Sequence, residues 1–106
     1  MYIIPLKVTL DKYGLSEDEW VELFKQQGEI CPICKKESKT GRYVVDHAHV
    51  KGWKKMPPEQ RKKYIRGILC WWDNKQIVGR GVTIEKLQNA INYLKKAEEK
   101  LLFQKI

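Results

Sequence analysis

The sequence predicts a small α+β domain in which two short strands and a helix form a core between flanking N- and C-terminal helices. Residues 43–45 and 65–69 are rich in strand-forming side chains, and apolar residues recur at helical spacing at both ends of the chain. With 106 residues the chain can bury only a modest core, so a structural metal would add needed stability. We expect one domain over residues 1–106, with a helical segment 1–28, a core 29–80 and a C-terminal helix 83–104.

The first long helix is expected to begin after Ser16. Ser16 and Glu19 have the spacing of a capping box, in which two side chains satisfy free backbone N–H groups at a helix start. Apolar residues then recur at helical spacing, and Gly28 is a typical residue for a helix end. The predicted helix therefore spans residues 17–27.

Two strands are predicted on either side of a basic connection. At residues 43–45 an aromatic residue precedes two β-branched valines, a composition typical of strands. Residues 65–69 are the second candidate strand. The connection between them, residues 52–64, is polar and basic and contains two adjacent prolines.

Two further helices are predicted after the second strand. A short one lies within residues 70–78 and is followed by a turn with glycines at positions 79 and 81. Thr83 is the candidate N-cap of the last helix, along which apolar residues recur at helical spacing. We interpret this apolar face as core, or as the seam of a homodimer if it is wider than the domain can cover.

The formal net charge of +8 favours a polyanionic partner, either nucleic acid or an anionic membrane surface. The alternative is a basic protein that is merely soluble. No apolar run has the length of a membrane span, and no signal peptide opens the chain. We therefore expect no membrane partner and an intracellular location (the host cytoplasm if the chain is phage-encoded). Such a location argues against a disulfide framework.

The cysteine spacing indicates a metal site. Cys31-x-x-Cys34 and Cys70-x-x-Asp73 look like two zinc knuckles, since a gap of two residues lets two side chains reach one ion. The alternative is three reduced cysteines packed as small apolar groups. Asp73 is the doubtful ligand, because an oxygen donor among three thiolates is less common. His49 or a water molecule would be its replacement.

Both histidines of the chain follow the first predicted strand, beside Asp46. Hydrolysis of a phosphodiester needs a hard divalent cation and a base that activates water. Asp46 and the amide oxygen of Asn74 are hard donors suited to Mg²⁺, and neutral His47 can accept the proton of water. Each residue alone is as readily explained as part of a surface turn or a helix cap. Together they indicate a hydrolytic site.

Residues 51–66 contain seven Lys or Arg and one acidic residue, Glu59. We predict that this segment contacts nucleic-acid phosphates, which would add a salt-sensitive affinity that is independent of sequence. The alternative is a solvated loop. Trp53 would either lean on a sugar or base or simply anchor that loop. The candidate nucleic-acid-binding residues are Lys54, Lys55, Arg61, Lys62, Lys63 and Arg66.

From about Tyr13 to Leu94 the sequence resembles the recombination endonuclease VII family, a branch of the HNH or His-Me finger nucleases. The resemblance rests on four segments. They are Tyr13-Gly14-Leu15, Cys31-Pro32-Ile33-Cys34, Val45-Asp46-His47-Ala48-His49, and Ile65-Arg66-Gly67-Ile68-Leu69-Cys70 running on to Asn74.

The resemblance implies a ββα-metal (His-Me) finger built round a structural Zn²⁺, with Mg²⁺- or Mn²⁺-dependent cleavage of double-stranded or branched DNA. By position, it implies that Asp46 and Asn74 hold the catalytic cation. It further implies that His47 is the general base and that His49 contacts the scissile phosphate. The implied zinc ligands are Cys31, Cys34 and Cys70.

Two features depart from the family pattern. Asp73 stands where the family usually has a fourth cysteine, and residues 52–64 form a longer connection than in most members. Three functions compete: a DNA endonuclease, a non-catalytic zinc-stabilised nucleic-acid-binding module, and a structural phage or assembly protein. The pair Asp46-His47 together with Asn74 favours the endonuclease, because a module that only binds needs no base beside a cation site.

Overall fold

A two-stranded antiparallel sheet lies at the centre of the computed structural model, which describes residues 2–99. The strands are β1 (Val44–His47) and β2 (Ile65–Leu69). The prediction for the second strand is confirmed at both ends. The first strand lies slightly later than predicted, because its limits follow the residues that pair with β2 rather than local composition. The α+β class is confirmed, and the His-Me finger stays a prediction.

The register of the sheet changes where the candidate catalytic residues lie. Asp46 is opposite Gly67, whereas the next residue, His47, is opposite Ile65. The shift leaves Arg66 as the extra residue of β2, and irregularities of this kind change the direction of neighbouring side chains.

The N-terminal segment contains two helices, α1 (Lys7–Lys12) and α2 (Glu17–Gln26). The capping box at the start of α2 is confirmed: Ser16 Oγ accepts from the Glu19 N–H at 3.1 Å, and the Ser16 N–H donates to Glu19 Oε1 at 3.0 Å. Helix α1 lies inside the helical segment expected over residues 1–28, but its own bounds were not predicted. It has no side-chain cap and buries only Leu10. Neither a capping motif nor a repeated apolar position therefore marks this helix in the sequence.

The basic connection contains regular structure that the sequence did not indicate. It has two 3₁₀ turns, Trp53–Lys55 and Lys62–Tyr64, and a short helix α3 (Pro58–Arg61). Gly14, with φ of 70°, lies against α3: a Cβ at this position would be 2.4 Å from the Pro58 carbonyl oxygen. The connection is therefore packed onto the α1–α2 turn instead of extending into solvent.

The last two helices are α4 (Trp71–Gln76) and α5 (Ile84–Glu99). Thr83 caps α5 as predicted, because its Oγ1 accepts from the Lys86 N–H at 3.0 Å. The predicted end at residue 104 lies outside the described residues.

The interpretation of the apolar face of α5 as core is wrong. Ile84 is 88% exposed and Leu94 59%. Periodicity predicts an apolar face, but only the tertiary structure decides what covers that face. The alternative, the seam of a homodimer, stays a prediction.

The hydrophobic core lies between α2 and the sheet, and Trp20, Phe24 and Ile68 are fully buried there. Gln27 attaches the end of α2 to β2: its side chain donates to the Ile68 carbonyl at 2.8 Å and accepts from the Ile68 N–H at 2.7 Å. A Cβ at position 67 would be 2.9 Å from Gln27 Oε1, so glycine gives this side chain room. None of the helices within residues 2–99 is both long enough and apolar enough to cross a membrane.

Candidate metal cluster and candidate catalytic cleft

The four residues of the two knuckle-like segments come together. The ligand atoms of Cys31, Cys34, Cys70 and Asp73 all lie within 4.8 Å of one another. Tetrahedral zinc with Zn–S bonds of about 2.3 Å places sulfur ligands about 3.8 Å apart, so the cluster has the size that such an ion requires. Asp73 takes part directly, with its Oδ2 accepting at 3.2 Å from Cys31 Sγ and at 3.1 Å from Cys70 Sγ.

Local backbone structure brings these residues together. The Lys35 N–H donates to the Cys31 carbonyl at 2.9 Å, and the positive φ of Lys35, 61°, closes the turn that carries Cys31 and Cys34. Cys70 directly follows β2 and caps α4, where its Sγ accepts from the Asp73 N–H at 3.4 Å. One side of the cluster is therefore a tight turn, and the other is a strand end joined to a helix start.

Electrostatics within the cluster favour a protonated Cys70 thiol beside a charged Asp73 carboxylate. Burial raises the pKa of Cys70 to about 12. Burial also acts to raise the pKa of Asp73, but hydrogen bonds from Cys31 and Cys70 lower it below its ordinary value. A metal ion that binds here displaces thiol protons, so its affinity falls as the pH is lowered.

Asp46 is buried at 4% exposure and forms an ion pair that the sequence did not predict. Arg66 donates to both of its oxygens, Nε to Oδ2 at 2.7 Å and Nη2 to Oδ1 at 2.9 Å, and Nη2 also donates to the Val78 carbonyl at 3.1 Å. The hydrogen bond to Asp46 raises the pKa of Arg66. A carboxylate has about four lone-pair sites, so about two remain for a cation while the pair is intact.

His47 is half-buried among aromatic rings. The Trp53 ring is stacked on it with a centroid separation of 3.9 Å and an interplanar angle of 15°. Burial lowers the pKa of His47 below its ordinary value, and the charge of His49 acts in the same direction. The imidazole is therefore neutral at pH 7, the state in which it can accept a proton. His49 is exposed, with its ring centroid 5.1 Å from that of His47.

Asn74 is half-buried in α4, and its backbone N–H donates to the Cys70 carbonyl at 3.1 Å. Helix α4 packs against β1, the strand that carries Asp46 and His47. The structure thus places Asn74 directly after a cluster residue, on an element next to the catalytic candidates. Coordination of one cation by Asn74 and Asp46 stays a prediction.

A cleft of about 610 Å³ opens beside His47, and His49 and Trp53 also line it. In the described part of the chain, every charged residue that lines this cleft is basic. Because clefts lined by one sign of charge concentrate ligands of the opposite sign, the cleft suits a polyanion. These basic residues are Lys12, Lys51, Lys54, Lys55 and Arg80.

Sequence reasoning missed Lys12 and Arg80 as parts of this cleft. Lys12 is far from the histidines in sequence, and no local pattern connects it to them. Arg80 lies between two glycines of a turn, and no local pattern connects it to the histidines either. A second groove, of about 460 Å³, lies elsewhere and is lined by Asp18, Glu19 and Glu22 among others, so its charge disfavours DNA.

Three of the predicted phosphate-contacting residues have protein partners. Arg66 pairs with Asp46, and Lys62 pairs with Glu19. Arg61 donates to three backbone carbonyls. By contrast, Lys54 and Lys55 line the cleft, and Lys63 is exposed.

Trp71 and Trp72 do not pack around the metal cluster, because they are 57% and 61% exposed. These two tryptophans are the first two residues of α4. Their side chains point to solvent, whereas the side chain of Asp73 points into the cluster. The three positions lie on different sides of one helical turn.

Comparisons of the sequence with known proteins identify its family. The sequence model of the family described as recombination endonuclease VII matches residues 7–96. The Gene 59 protein of Mycobacterium phage D29 is 37% identical over 89 residues, covering 82% of this chain and 47% of that protein. The Gene 59 protein of Mycobacterium phage L5 is 34% identical over 87 residues, covering 80% of this chain and 46% of that protein.

The chain therefore spans about half the length of these two curated relatives. No solved structure matches it. The family model nevertheless covers most of the sequence, from the start of α1 to near the end of α5. The chain belongs to the recombination endonuclease VII family.

Proposed function

We propose that this chain is a metal-dependent DNA endonuclease of the HNH type, which nicks, cuts or resolves double-stranded or branched DNA by hydrolysing phosphodiester bonds. The observation that carries the proposal is the basic cleft, because it joins a half-buried histidine, whose lowered pKa favours the neutral imidazole, to a lining of positive charge. A DNA backbone in that cleft would have its phosphates beside His47. Family membership supports the same reaction class.

In the proposed reaction, His47 accepts a proton from water as the water oxygen attacks phosphorus and the bond from phosphorus to the leaving oxygen breaks. His49 contacts a non-bridging phosphate oxygen from the exposed side of the cleft. Asp46 and Asn74 would hold Mg²⁺ or Mn²⁺. When bound, the cation supplies stabilisation of the negative charge on the leaving oxygen. Arg66 keeps the Asp46 carboxylate oriented.

A structural Zn²⁺ is the second part of the proposal. Cys31, Cys34, Cys70 and Asp73 form a compact set of soft donors with one carboxylate, which suits zinc better than Mg²⁺. The ion would join the turn that carries Cys31 to the start of α4. It would thereby hold the backbone that presents Asn74.

A second candidate function, a non-catalytic zinc-stabilised nucleic-acid-binding module, is favoured by one observation. Arg66 occupies both oxygens of Asp46, which leaves the carboxylate neutralised. In such a module the ion pair would be purely structural. DNA binding would then depend on the cleft alone.

Supercoiled plasmid distinguishes the two functions. The endonuclease converts it to nicked or linear DNA with Mg²⁺ or Mn²⁺ and stops when EDTA is added. EDTA inhibition should be tested on zinc-loaded protein, with its folding followed by circular dichroism, so that loss of the catalytic cation is separated from loss of the structural metal. Binding of DNA without cleavage under every cation tested would support the module.

The salt dependence of DNA binding tests the basic cleft. Changing Lys54 and Lys55 to alanine should weaken binding similarly on unrelated sequences. Each phosphate contact that is removed should reduce the slope of log K against log salt by about 0.9, because fewer counterions are released. Binding isotherms at several salt concentrations measure this slope.

A matched control changes Lys95 and Lys96 to alanine. This variant loses the same charge from exposed positions of α5, outside the residues that line the cleft. It should leave the slope almost unchanged. Equal slopes for the two double variants would mean that net charge, rather than the cleft, controls DNA affinity.

A further inference from the structure

Trp53 lies within the long basic connection, yet it is only 7% exposed. It is absent from the main hydrophobic cluster between α2 and the sheet. Its near-parallel stack on His47 is the closest aromatic contact that His47 makes among the described residues. We propose that Trp53 is a positioning residue that holds the His47 imidazole in one orientation for catalysis, an inference that rests on the proposed role of His47 as base.

Trp53 is itself held from several directions. Arg61 donates to the backbone carbonyls of Trp53 at 3.3 Å, Lys54 at 2.6 Å and Lys12 at 3.1 Å. The Arg61 guanidinium carbon lies 4.9 Å from the centroid of the Trp53 ring, and the Tyr13 ring lies 5.6 Å from it. Contacts from Arg61 of α3 and from Tyr13, the residue after α1, therefore restrict both the backbone and the ring of Trp53.

This arrangement has a direct consequence for His47. An imidazole can rotate about its Cβ–Cγ bond, and rotation moves both ring nitrogens away from a bound water. A flat ring at 3.9 Å leaves little space for that rotation. General-base catalysis requires the accepting nitrogen within hydrogen-bond reach of the water, so restricted rotation raises the fraction of productive encounters.

The contact with His47 explains the presence of a tryptophan at position 53 better than a hydrogen bond or stacking on DNA does. The indole Nε1 is buried without a hydrogen-bond partner among residues 2–99, so a hydrogen bond is not what requires tryptophan here. The low exposure of the ring disfavours stacking on a DNA base. Among the described residues, its faces contact His47, Tyr13, Arg61 and Lys12, three of which are charged or titratable near neutral pH. The ring therefore packs around His47 and not in the main hydrophobic core.

Two substitutions distinguish the effect of the flat ring from the effect of its N–H group. Trp53→Leu keeps an apolar side chain but removes the flat ring, whereas Trp53→Phe keeps a ring and removes the orphan N–H. In the full chain loaded with zinc and Mg²⁺, Trp53→Leu should lower kcat by roughly 10–100-fold. This variant should leave KM and DNA affinity unchanged. Trp53→Phe, which keeps an aromatic ring, should retain most of the wild-type kcat. Equal losses in both variants, or a loss confined to KM, would overturn the proposal.

Arg61→Gln is the second variant if Trp53→Leu fails to fold. Glutamine shortens the side chain and removes the guanidinium, so it loosens Trp53 without changing the main core. We expect a smaller decrease in kcat, measured at saturating DNA so that a change in affinity does not affect it. The ring-current shift of the His47 imidazole protons, measured by NMR, should decrease in parallel. An unchanged kcat in a variant with a decreased ring-current shift would overturn the proposal.

A double-mutant cycle separates this inference from the proposed function. If Trp53 acts through His47, Trp53→Leu should cost nothing further in a His47→Ala background. The same fold loss in both backgrounds would show that Trp53 acts independently of His47, with the endonuclease proposal intact. Wild-type cleavage by His47→Ala alone would instead remove the proposed base, and the positioning role would fail with it.

Discussion

His47→Ala is expected to lower the maximal rate of DNA cleavage by about 10²–10⁴-fold, the contribution typical of a general base. Alanine cannot accept the proton of the attacking water, so the reaction would depend on hydroxide or buffer. The side chain is half-buried in a cleft whose positive charges are on other residues, and DNA affinity should therefore be retained. Initial rates of plasmid nicking at saturating DNA measure the effect.

The control for this variant is DNA binding by the zinc-loaded protein without Mg²⁺ or Mn²⁺, where cleavage is absent and only affinity is compared. His49→Ala provides a second comparison, because it removes the other histidine of the cleft. Loss of a phosphate contact should slow the reaction and weaken binding together, unlike loss of the base. Near-wild-type cleavage by His47→Ala would remove His47 from the mechanism.

Cys70→Ser should abolish zinc binding and strongly destabilise the fold. Loss of a structural metal is among the changes that cost roughly 4–5 kcal/mol or more of unfolding free energy, since the binding energy of such a site is largely folding energy. Cys70 joins β2 to α4, so both elements lose their common anchor. Metal analysis should find about one zinc per chain in the wild type. Thermal unfolding with and without chelator measures the stability.

Asp73→Cys is the matched substitution at the same cluster. It supplies a fourth thiolate at a position whose carboxylate already lies 3.1 Å from Cys70 Sγ. We expect the zinc content to be unchanged and the resistance to chelators to be equal or greater. A wild-type chain that folds equally well after stringent chelation would mean that the cysteines are core residues and that no structural zinc is needed.

Local features of the fold were predictable because their causes are local. The capping box of Ser16 and Glu19 needs only residues three apart, and it marks the start of α2 correctly. Apolar and β-branched composition predicted β2 within its observed bounds, and Thr83 indicated the start of α5. The closeness of Cys31, Cys34, Cys70 and Asp73 followed from two short spacings that one ion can use. Their joint function with a metal stays a prediction.

The surroundings of the catalytic candidates were not predictable in this way. The pairing of Asp46 with Arg66, the stacking of Trp53 on His47 and the approach of Lys12 to the cleft join different elements of the fold. No periodicity or cap connects such residues, because their distances depend on how the strands pair and how the connection packs.

By itself, the sequence determined the two strands, helices α2, α4 and α5, the grouping of the thiols and the type of the catalytic candidates. The tertiary structure alone decided which cations face the histidines, which are neutralised by carboxylates, and that the apolar face of α5 stays exposed in the described chain. The physical reason is how far apart along the chain the interacting residues lie. Helix caps, turns and ligand spacings depend on neighbouring residues, whereas ion pairing and burial depend on which distant segments meet.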